Sequence, residues 1–301
     1  MSLEAGAIFD LRGAVAVVTG GGTGLGLTAA IALASNGAKV YITGRRKQKL
    51  EEAVDTYSPG LSGSLVAIQG DVSSKEDLAR VAAEVKAQDG KLHILVNNAG
   101  IEGPVTKFPD EQVSELTADE ISRAHLANET FEAWDQLFRV NTASVFFSTM
   151  TFLPLLAEGN KAPLASQLQS NGGWTGGVIN ITSISGSVKL SQFHYAYNAS
   201  KGAADRLTQM LAHELRFRSP NVGVRVNSLA PGLFASEMTA GKSEKGKTNP
   251  DDVKGHANPA GRVGTEQEFA GLILLLASNQ FITGQVVAVD GGFLTAVASS
   301  R

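Results

Sequence analysis

Tyr197 and Lys201 stand four residues apart. On a helix that spacing puts both side chains on one face, with Cβ atoms about 5–6 Å apart, so the ammonium can act on the phenol. A free tyrosine has a pKa near ~10, and bringing it to about 7 takes roughly 4 kcal/mol of differential stabilisation of the phenolate. A neighbouring Lys⁺ works in that direction. A tyrosine so tuned gives or takes a proton at neutral pH, which is what interconverting a carbonyl and an alcohol demands. Tyr-x-x-x-Lys is common by chance, so the pair gains meaning only from its partners. Tyr195 is a rival acid, but its i+4 neighbour is Ala199 rather than a cation. Tyr195 and His194 read equally as walls of a substrate pocket and as ordinary packing.

A second cluster is Thr19-Gly20-Gly21-Gly22-Thr23-Gly24-Leu25-Gly26, which follows an apolar run and precedes the helical run Leu27 to Ser35. Glycines there permit a tight turn and let the backbone approach a pyrophosphate at the positive end of the helix. A merely flexible glycine loop lacks that context of strand before and helix after. The next strand ends in Thr43-Gly44-Arg45-Arg46, where an NAD site usually places an acid against the ribose 2′-hydroxyl. No acid stands there. Gly44 leaves room and Arg45 offers a guanidinium to a 2′-phosphate, so the expected cofactor is NADP(H), favoured by a charge-assisted contact worth roughly 1.5–3 kcal/mol. Arg46 is either a second phosphate ligand or a solvated surface residue. Asp71, followed by Val72, either accepts from the adenine amino group or starts the next helix with Ser73 and Ser74.

Short apolar runs alternating with helical patterns must position these groups, and that alternation predicts βαβ units around a parallel sheet. Strands are expected at Ala14 to Val18, Lys39 to Thr43, Ser64 to Gln69, Ile94 to Asn97, Gly177 to Thr182, Val222 to Leu229 and Gln285 to Val289. Helices are expected at Lys75 to Gln88, Phe131 to Leu156 and Tyr195 to Arg216. The whole chain reads as one α/β domain. Two polar insertions, near 102–131 and 157–176, decorate it. A Lys-, Gly-, Ser- and Asn-rich segment near 232–261 lies beyond the carboxyl end of a strand, where an open sheet binds its ligands, and reads as a substrate lid.

Composition excludes several classes. The 301 residues include no cysteine, which rules out disulfides and thiolate chemistry, and a formal net charge of -3 gives no pull toward nucleic acid or anionic membrane. There is no signal-peptide pattern at the start and no apolar run near ~18 residues, so a cytoplasmic protein is expected. The chain has no G-x-S-x-G elbow, and Gly241-Lys242-Ser243 lacks the first glycine of a P-loop because Ser236 stands there. Five histidines form no H-E-x-x-H and no close pair, so no metal site is expected.

Taken together, these pieces resemble the short-chain dehydrogenase/reductase family from about Phe9 to Gly292. Thr19-Gly20-x-x-x-Gly24-x-Gly26 is similar to its cofactor motif, Asn97-Asn98-Ala99-Gly100 to the motif after its fourth strand, and Val289-Asp290-Gly291-Gly292 to the end of its last strand. Asn141, Ser183, Tyr197 and Lys201 match its catalytic tetrad, and Pro231-Gly232 with Ser236 matches the segment that holds the nicotinamide carboxamide. The resemblance implies a doubly wound Rossmann-type sheet of seven parallel strands in the order 3-2-1-4-5-6-7. It implies a reductase in which NADPH gives a hydride to a ketone or aldehyde, Ser183 binds the carbonyl oxygen, Tyr197 is the general acid, Lys201 lowers its pKa and holds the nicotinamide ribose, and Asn141 organises the helix and a water. Gly20, Gly22, Thr23, Gly24, Leu25, Gly26, Arg45, Arg46, Asp71, Val72, Asn98, Ala99, Gly100, Tyr197, Lys201, Pro231, Gly232 and Ser236 are the cofactor contacts it implies. A homotetramer or homodimer formed through the two long helices follows by the same resemblance. From Ser183 to Tyr197 is 197 − 183 = 14 residues, one more than the family's usual spacing, so Gly186 to His194 is expected to bulge. Apolar residues in the insertions and the lid point to a bulky carbonyl substrate such as a 3-oxoacyl thioester or a ketone of secondary metabolism. The alternatives are an alcohol-oxidising dehydrogenase, which is the same site run backward, and a redox sensor that binds NADP(H) without turnover.

Overall fold

Val15 to Thr19, β1, is buried at every position, so it has no polar face to show to water and must be covered on both sides. The computed structural model, which describes residues 3–108, 115–161, 164, 174–234 and 258–299, meets that need with an all-parallel sheet. In chain order the elements are α1 (Ala5–Ile8), β1 (Val15–Thr19), α2 (Gly24–Ser35), β2 (Lys39–Gly44), α3 (Lys47–Tyr57), β3 (Ser64–Gln69), α4 (Lys75–Asp89) and β4 (Ile94–Asn97). Then come α5 (Ala118–Asn128), α6 (Phe131–Phe138), α7 (Ser144–Lys161), β5 (Gly177–Ile181), α8 (Tyr195–Ala212), β6 (Arg225–Pro231), α9 (Glu266–Ser278), β7 (Val286–Val289) and α10 (Phe293–Ala296). The strand order is β3-β2-β1-β4-β5-β6-β7, as the resemblance implied.

Alternation along each strand divides the core in two. Ala16, Val18, Val40, Ile42, Ile94, Val96 and Ile179 point to a face covered by Ala29 and Leu33 of α2 and Phe269 and Ile273 of α9. Val15, Val17, Tyr41, Leu95, Val178 and Val226 point to the other, covered by Val81 and Val85 of α4, Phe152 and Leu156 of α7 and Leu211 of α8. The order reverses between β3-β2-β1 and β4-β5-β6-β7, so the carboxyl ends of β1 and β4 border a crevice at the topological switch point.

Several expected boundaries move. β1 starts at Val15 and includes Thr19, β5 ends at Ile181 rather than Thr182, and β7 starts at Val286 rather than Gln285. β6 starts at Arg225 rather than Val222, because Ser219 to Gly223 turn first: Val222 N donates to Ser219 O at 2.9 Å and Gly223 has φ +61°. α2 takes in Gly24 to Gly26 ahead of Leu27. The helix expected from Phe131 to Leu156 carries a π-helical turn at Arg139–Ala143 and runs on to Lys161 past Pro154. The helix expected to reach Arg216 is α-helical only to Ala212 and then π-helical over His213–Arg218. Phe131–Lys161 is, among the described residues, the helix long and apolar enough to cross a membrane by length and composition, although no unbroken apolar run shows this in the sequence. It packs Phe152, Leu155 and Leu156 into the second core face.

The insertion near 102–131 contains α5, started by a capping box in which Thr117 and Glu120 satisfy each other's backbone N–H groups. Of the insertion near 157–176, residues 157–161 complete α7. Residues 162–163 and 165–173 of that insertion, and residues 235–257 of the expected lid, lie outside the described residues.

Candidate active site

The glycine turn is built from both sides. Gly20 (φ +64°) and Gly24 (φ +54°) take the left-handed conformations that glycine adopts without a Cβ clash. Gly20 N donates to Thr43 O at 2.7 Å, which ties the turn to β2. From the segment just after β4, Asn98 Nδ2 donates to Thr19 O (3.0 Å) and Gly20 O (3.2 Å), while Asn98 N and Ala99 N donate to Thr19 Oγ1 (3.0 and 3.1 Å). Gly26 stands behind the turn rather than in the cleft: a Cβ there would fall 2.3 Å from both Asn98 Nδ2 and Gly20 O.

A cleft of about 350 Å³ runs from this turn across the strand ends. Gly20, Gly22, Thr23, Gly24, Leu25, Arg45, Arg46, Asp71, Val72, Asn98, Ala99, Gly100, Ser183, Tyr197, Lys201, Pro231 and Gly232 all line it, so the expected residues converge with few exceptions. Ser236 lies outside the described residues. Arg46 reaches into the turn, its Nη2 donating to Thr23 Oγ1 at 3.2 Å. Asp71 forms a turn ahead of α4, its Oδ1 accepting from Ser73 N (2.8 Å) and Ser73 Oγ (2.7 Å), while Ser74 caps the helix, and Asp71 also borders the cleft. Lys49, Leu50, Ile101 and Thr182 line the cleft as well. Lys49 was within reach of sequence reasoning, since it belongs to the basic run Arg45-Arg46-Lys47-Gln48-Lys49.

At the far end of the cleft the tetrad residues meet. Lys201 is buried on α8, and its Nζ donates to the backbone carbonyl of Ile181 at 3.0 Å and lies 5.7 Å from the centre of the Tyr197 ring. The expected lowering of the phenol is not what this geometry produces. Burial pushes Tyr197 up to about 12, with the Ser183 hydroxyl pulling the other way and the Glu102 carboxylate adding to the rise. Burial also pushes Lys201 down to about 8, opposed by Asp205. Ser183 follows β5 in an extended conformation, and its Oγ accepts from Ser185 N at 3.1 Å. Asn141 is buried inside the π-helical turn, behind the cleft wall: its amide exchanges two 2.9 Å hydrogen bonds with the backbone of Ile101, and Nδ2 donates to Ser200 Oγ at 3.2 Å. It therefore ties the segment after β4 to α8. Ile181 and Ser200 escaped sequence reasoning because one contributes only a backbone carbonyl and the other only a helix-facing hydroxyl.

The extra residue between Ser183 and Tyr197 is absorbed where expected. Gln192 (φ +52°) and Phe193 (φ +66°) are consecutive left-handed residues, a conformation that costs a non-glycine residue roughly 1–2 kcal/mol. They are held by Thr106 N, which donates to Phe193 O at 3.1 Å, and by Asn198 Nδ2, which donates to the carbonyls of Leu190 and Ser191 at 3.1 Å each. His194 occupies the N-cap position of α8 without capping it, and its ring centroid lies 6.2 Å from that of Tyr197. Tyr195 is exposed and its ring meets His125 edge-on.

Such a site on such a sheet defines a nucleotide-dependent oxidoreductase of carbonyl and alcohol groups. The family described as short chain dehydrogenase matches residues 14–247, and the chain belongs to the short-chain dehydrogenase/reductase family, whose members bind NAD(P)(H) and act on small molecules. It is 40% identical to the short-chain dehydrogenase/reductase PhomF of Diaporthe leptostromiformis over 99% of this chain and 97% of that one. It is 32% identical to the 3-oxoacyl reductase of rhamnolipid biosynthesis from Pseudomonas aeruginosa, over 95% of this chain and 98% of that one. The Pseudomonas aeruginosa RhlG/NADP active-site complex superposes with a TM-score of 0.75 at 30% identity, covering 95% of this chain and 98% of that chain.

Proposed function

We propose that the chain is an NADPH-dependent reductase of ketones or aldehydes with Tyr197 as general acid. The observation that carries this reading is the meeting of Ser183, Tyr197 and Lys201 at one end of a cleft that begins at the glycine turn. The cleft fits the cofactor: a glycine-rich turn for a pyrophosphate, Arg45, Arg46 and Lys49 for a 2′-phosphate, and no acid among them. Asp71 and Val72 would border the adenine, while Asn98, Ala99, Gly100, Lys201, Pro231 and Gly232 would hold the nicotinamide half. The TM-score match to an NADP complex at 30% identity supports the same preference.

Bound NADPH supplies the hydride. Ser183 would donate a hydrogen bond to the carbonyl oxygen as charge develops on it, and Tyr197 would deliver the proton. A phenol pushed up to about 12 is fully protonated at neutral pH and so is charged for that delivery. An alkoxide is a stronger base than a phenolate, so the transfer still runs downhill. Oxidation of an alcohol would need the phenolate instead, which burial opposes. The 3-oxoacyl reductase among the relatives supports an apolar, extended carbonyl compound as substrate.

The test is NADPH oxidation against a panel of ketones and aldehydes, with NADH, and with alcohols and NADP⁺, run alongside. Tyr197→Phe should lower kcat by at least about 10²-fold with unchanged NADPH affinity, in line with loss of a positioned acid. Substantial residual activity would assign the proton to Tyr195 or another group. Tight NADPH binding by the native chain with no turnover of any compound would make it a sensor. Arg45→Asp should shift the NADPH/NADH preference by roughly 10- to 150-fold toward NADH, and an unchanged ratio would remove the 2′-phosphate assignment.

A further inference from the structure

His194 is a titratable group beside Tyr197 that the mechanism leaves unused. Its Nδ1 is shut away from solvent, has no hydrogen-bond partner and faces Glu102 Oε1 at 3.9 Å. The exposed quarter of the side chain therefore belongs to the rest of the ring, which includes Nε2. Glu102 is too distant for a hydrogen bond, but its charge favours the proton on the nearer ring nitrogen and so leaves the other as the lone-pair acceptor. Burial, with the Lys107 charge, pushes the imidazole below its ordinary value while Glu102 and Glu129 pull it back up, so it is neutral at pH 7.

Its placement is also built. Two consecutive left-handed residues, Gln192 and Phe193, lead into it, and Thr106 fixes Phe193. Thr106 is anchored in turn, its Oγ1 donating to Glu129 Oε1 at 2.7 Å and accepting from Asn128 Nδ2 at 2.9 Å, and Trp134 Nε1 donates to Glu129 Oε2 at 2.8 Å. The side chain that this strain delivers to the helix start is an imidazole, although a serine, threonine or aspartate there would have capped the helix. Its ring lies one ring's breadth, 6.2 Å, from that of Tyr197.

We propose that His194, oriented by Glu102, is a specificity-determining residue whose Nε2 accepts a hydrogen bond from a hydroxyl of the substrate, so that the compound reduced is a hydroxy ketone or hydroxy aldehyde with its hydroxyl several atoms from the reacting carbonyl. The inference rests on the reductase reading only for which end of the substrate is reduced. Glu102 is a positioning residue.

The test uses protein saturated with NADP⁺, with which a ketone does not react, titrated calorimetrically with matched probes: 1-tetralone against its 5-, 6- and 7-hydroxy derivatives, whose phenolic hydroxyls NADP⁺ does not oxidise. At least one hydroxylated probe should bind about 10-fold or more tighter than its parent, the discrimination of one buried polar contact. His194→Phe should bring that ratio to within about twofold of unity, and His194→Gln, which keeps an acceptor, should restore part of it. Glu102→Ala should reduce the ratio and move the pH at which it disappears to lower values, since protonated His194 cannot accept. Equal binding of every pair by the native chain, or a ratio unchanged in His194→Phe, overturns the proposal. A hydroxyl preference retained in a protein that turns over none of the probes with NADPH leaves the subsite standing and overturns the reductase reading instead.

Discussion

Lys201 and Tyr197 are displaced in opposite directions by the same cause, and stability should show it. Lys201 gives up its proton near 8 in the folded chain but near ~10.4 when unfolded. Between those values the unfolded state binds more protons, so stability rises with pH. Tyr197, pushed up to about 12, reverses the trend once free tyrosine ionises near ~10. The gain is therefore confined to about pH 8 to 10. Thermal unfolding of the cofactor-free protein at pH 7.5 and 9.5 should show the native chain gaining on Lys201→Met over that interval; a gap that does not change with pH would contradict a buried, depressed lysine. Much at this scale was legible in the sequence. Tyr197, Lys201 and Arg45 could be named by side-chain type and position, whereas Ser183 could be named only through the family resemblance. The direction of the tyrosine's shift could not be read, because it depends on how much water the fold removes, and the Ile181 carbonyl that takes the ammonium leaves no trace in residue identity.

At the scale of elements, the parallel strands were legible from their continuous apolar runs and the switch in helical phase was not. Nothing in Arg139-Val140-Asn141-Thr142-Ala143 announces a π turn, since widening a helix by one residue is a matter of backbone pairing rather than side-chain pattern. The helix α5 was readable in principle, because Thr117-Ala118-Asp119-Glu120 has the form of a capping box. Arg225 is the least expected member of β6. It is buried, its guanidinium donates to the carbonyls of Leu276 (3.0 Å), Ala277 (3.0 Å) and Ile282 (3.3 Å), and burial pushes it down to about 10. It closes the carboxyl end of α9 from inside the sheet. Arg225→Met fills similar space and leaves those carbonyls without a donor, so it should lower unfolding free energy by about 3 kcal/mol in a urea titration. A loss under about 1 kcal/mol would mean that the carbonyls find other partners.

At the scale of the whole molecule, the strand order followed from the resemblance and the two core faces from period-two alternation, whereas the insertions could be read only as interruptions. Phe146, Phe147, Met210 and Phe217 are exposed on α7, on α8 and on the turn that follows α8, and these are the two long helices through which we propose a homodimer or homotetramer. Sedimentation equilibrium should return a multiple of 31.4 kDa, and a Phe146→Glu, Phe217→Glu double variant should dissociate; a monomeric native chain at micromolar concentration would contradict the assembly. The hydrogen bonds from Asn98 to Thr19 and Gly20 bear on kinetics as well as shape. Because the glycine turn is fastened to the segment just after β4 by contacts wholly within the chain, its ordering is completed when the sheet folds. Association with a dinucleotide then carries no loop-ordering entropy at that position, and affinity differences between cofactors appear mainly in dissociation rates. Asn98→Ala should undo this, slowing association while leaving Arg45 able to choose between the two nucleotides.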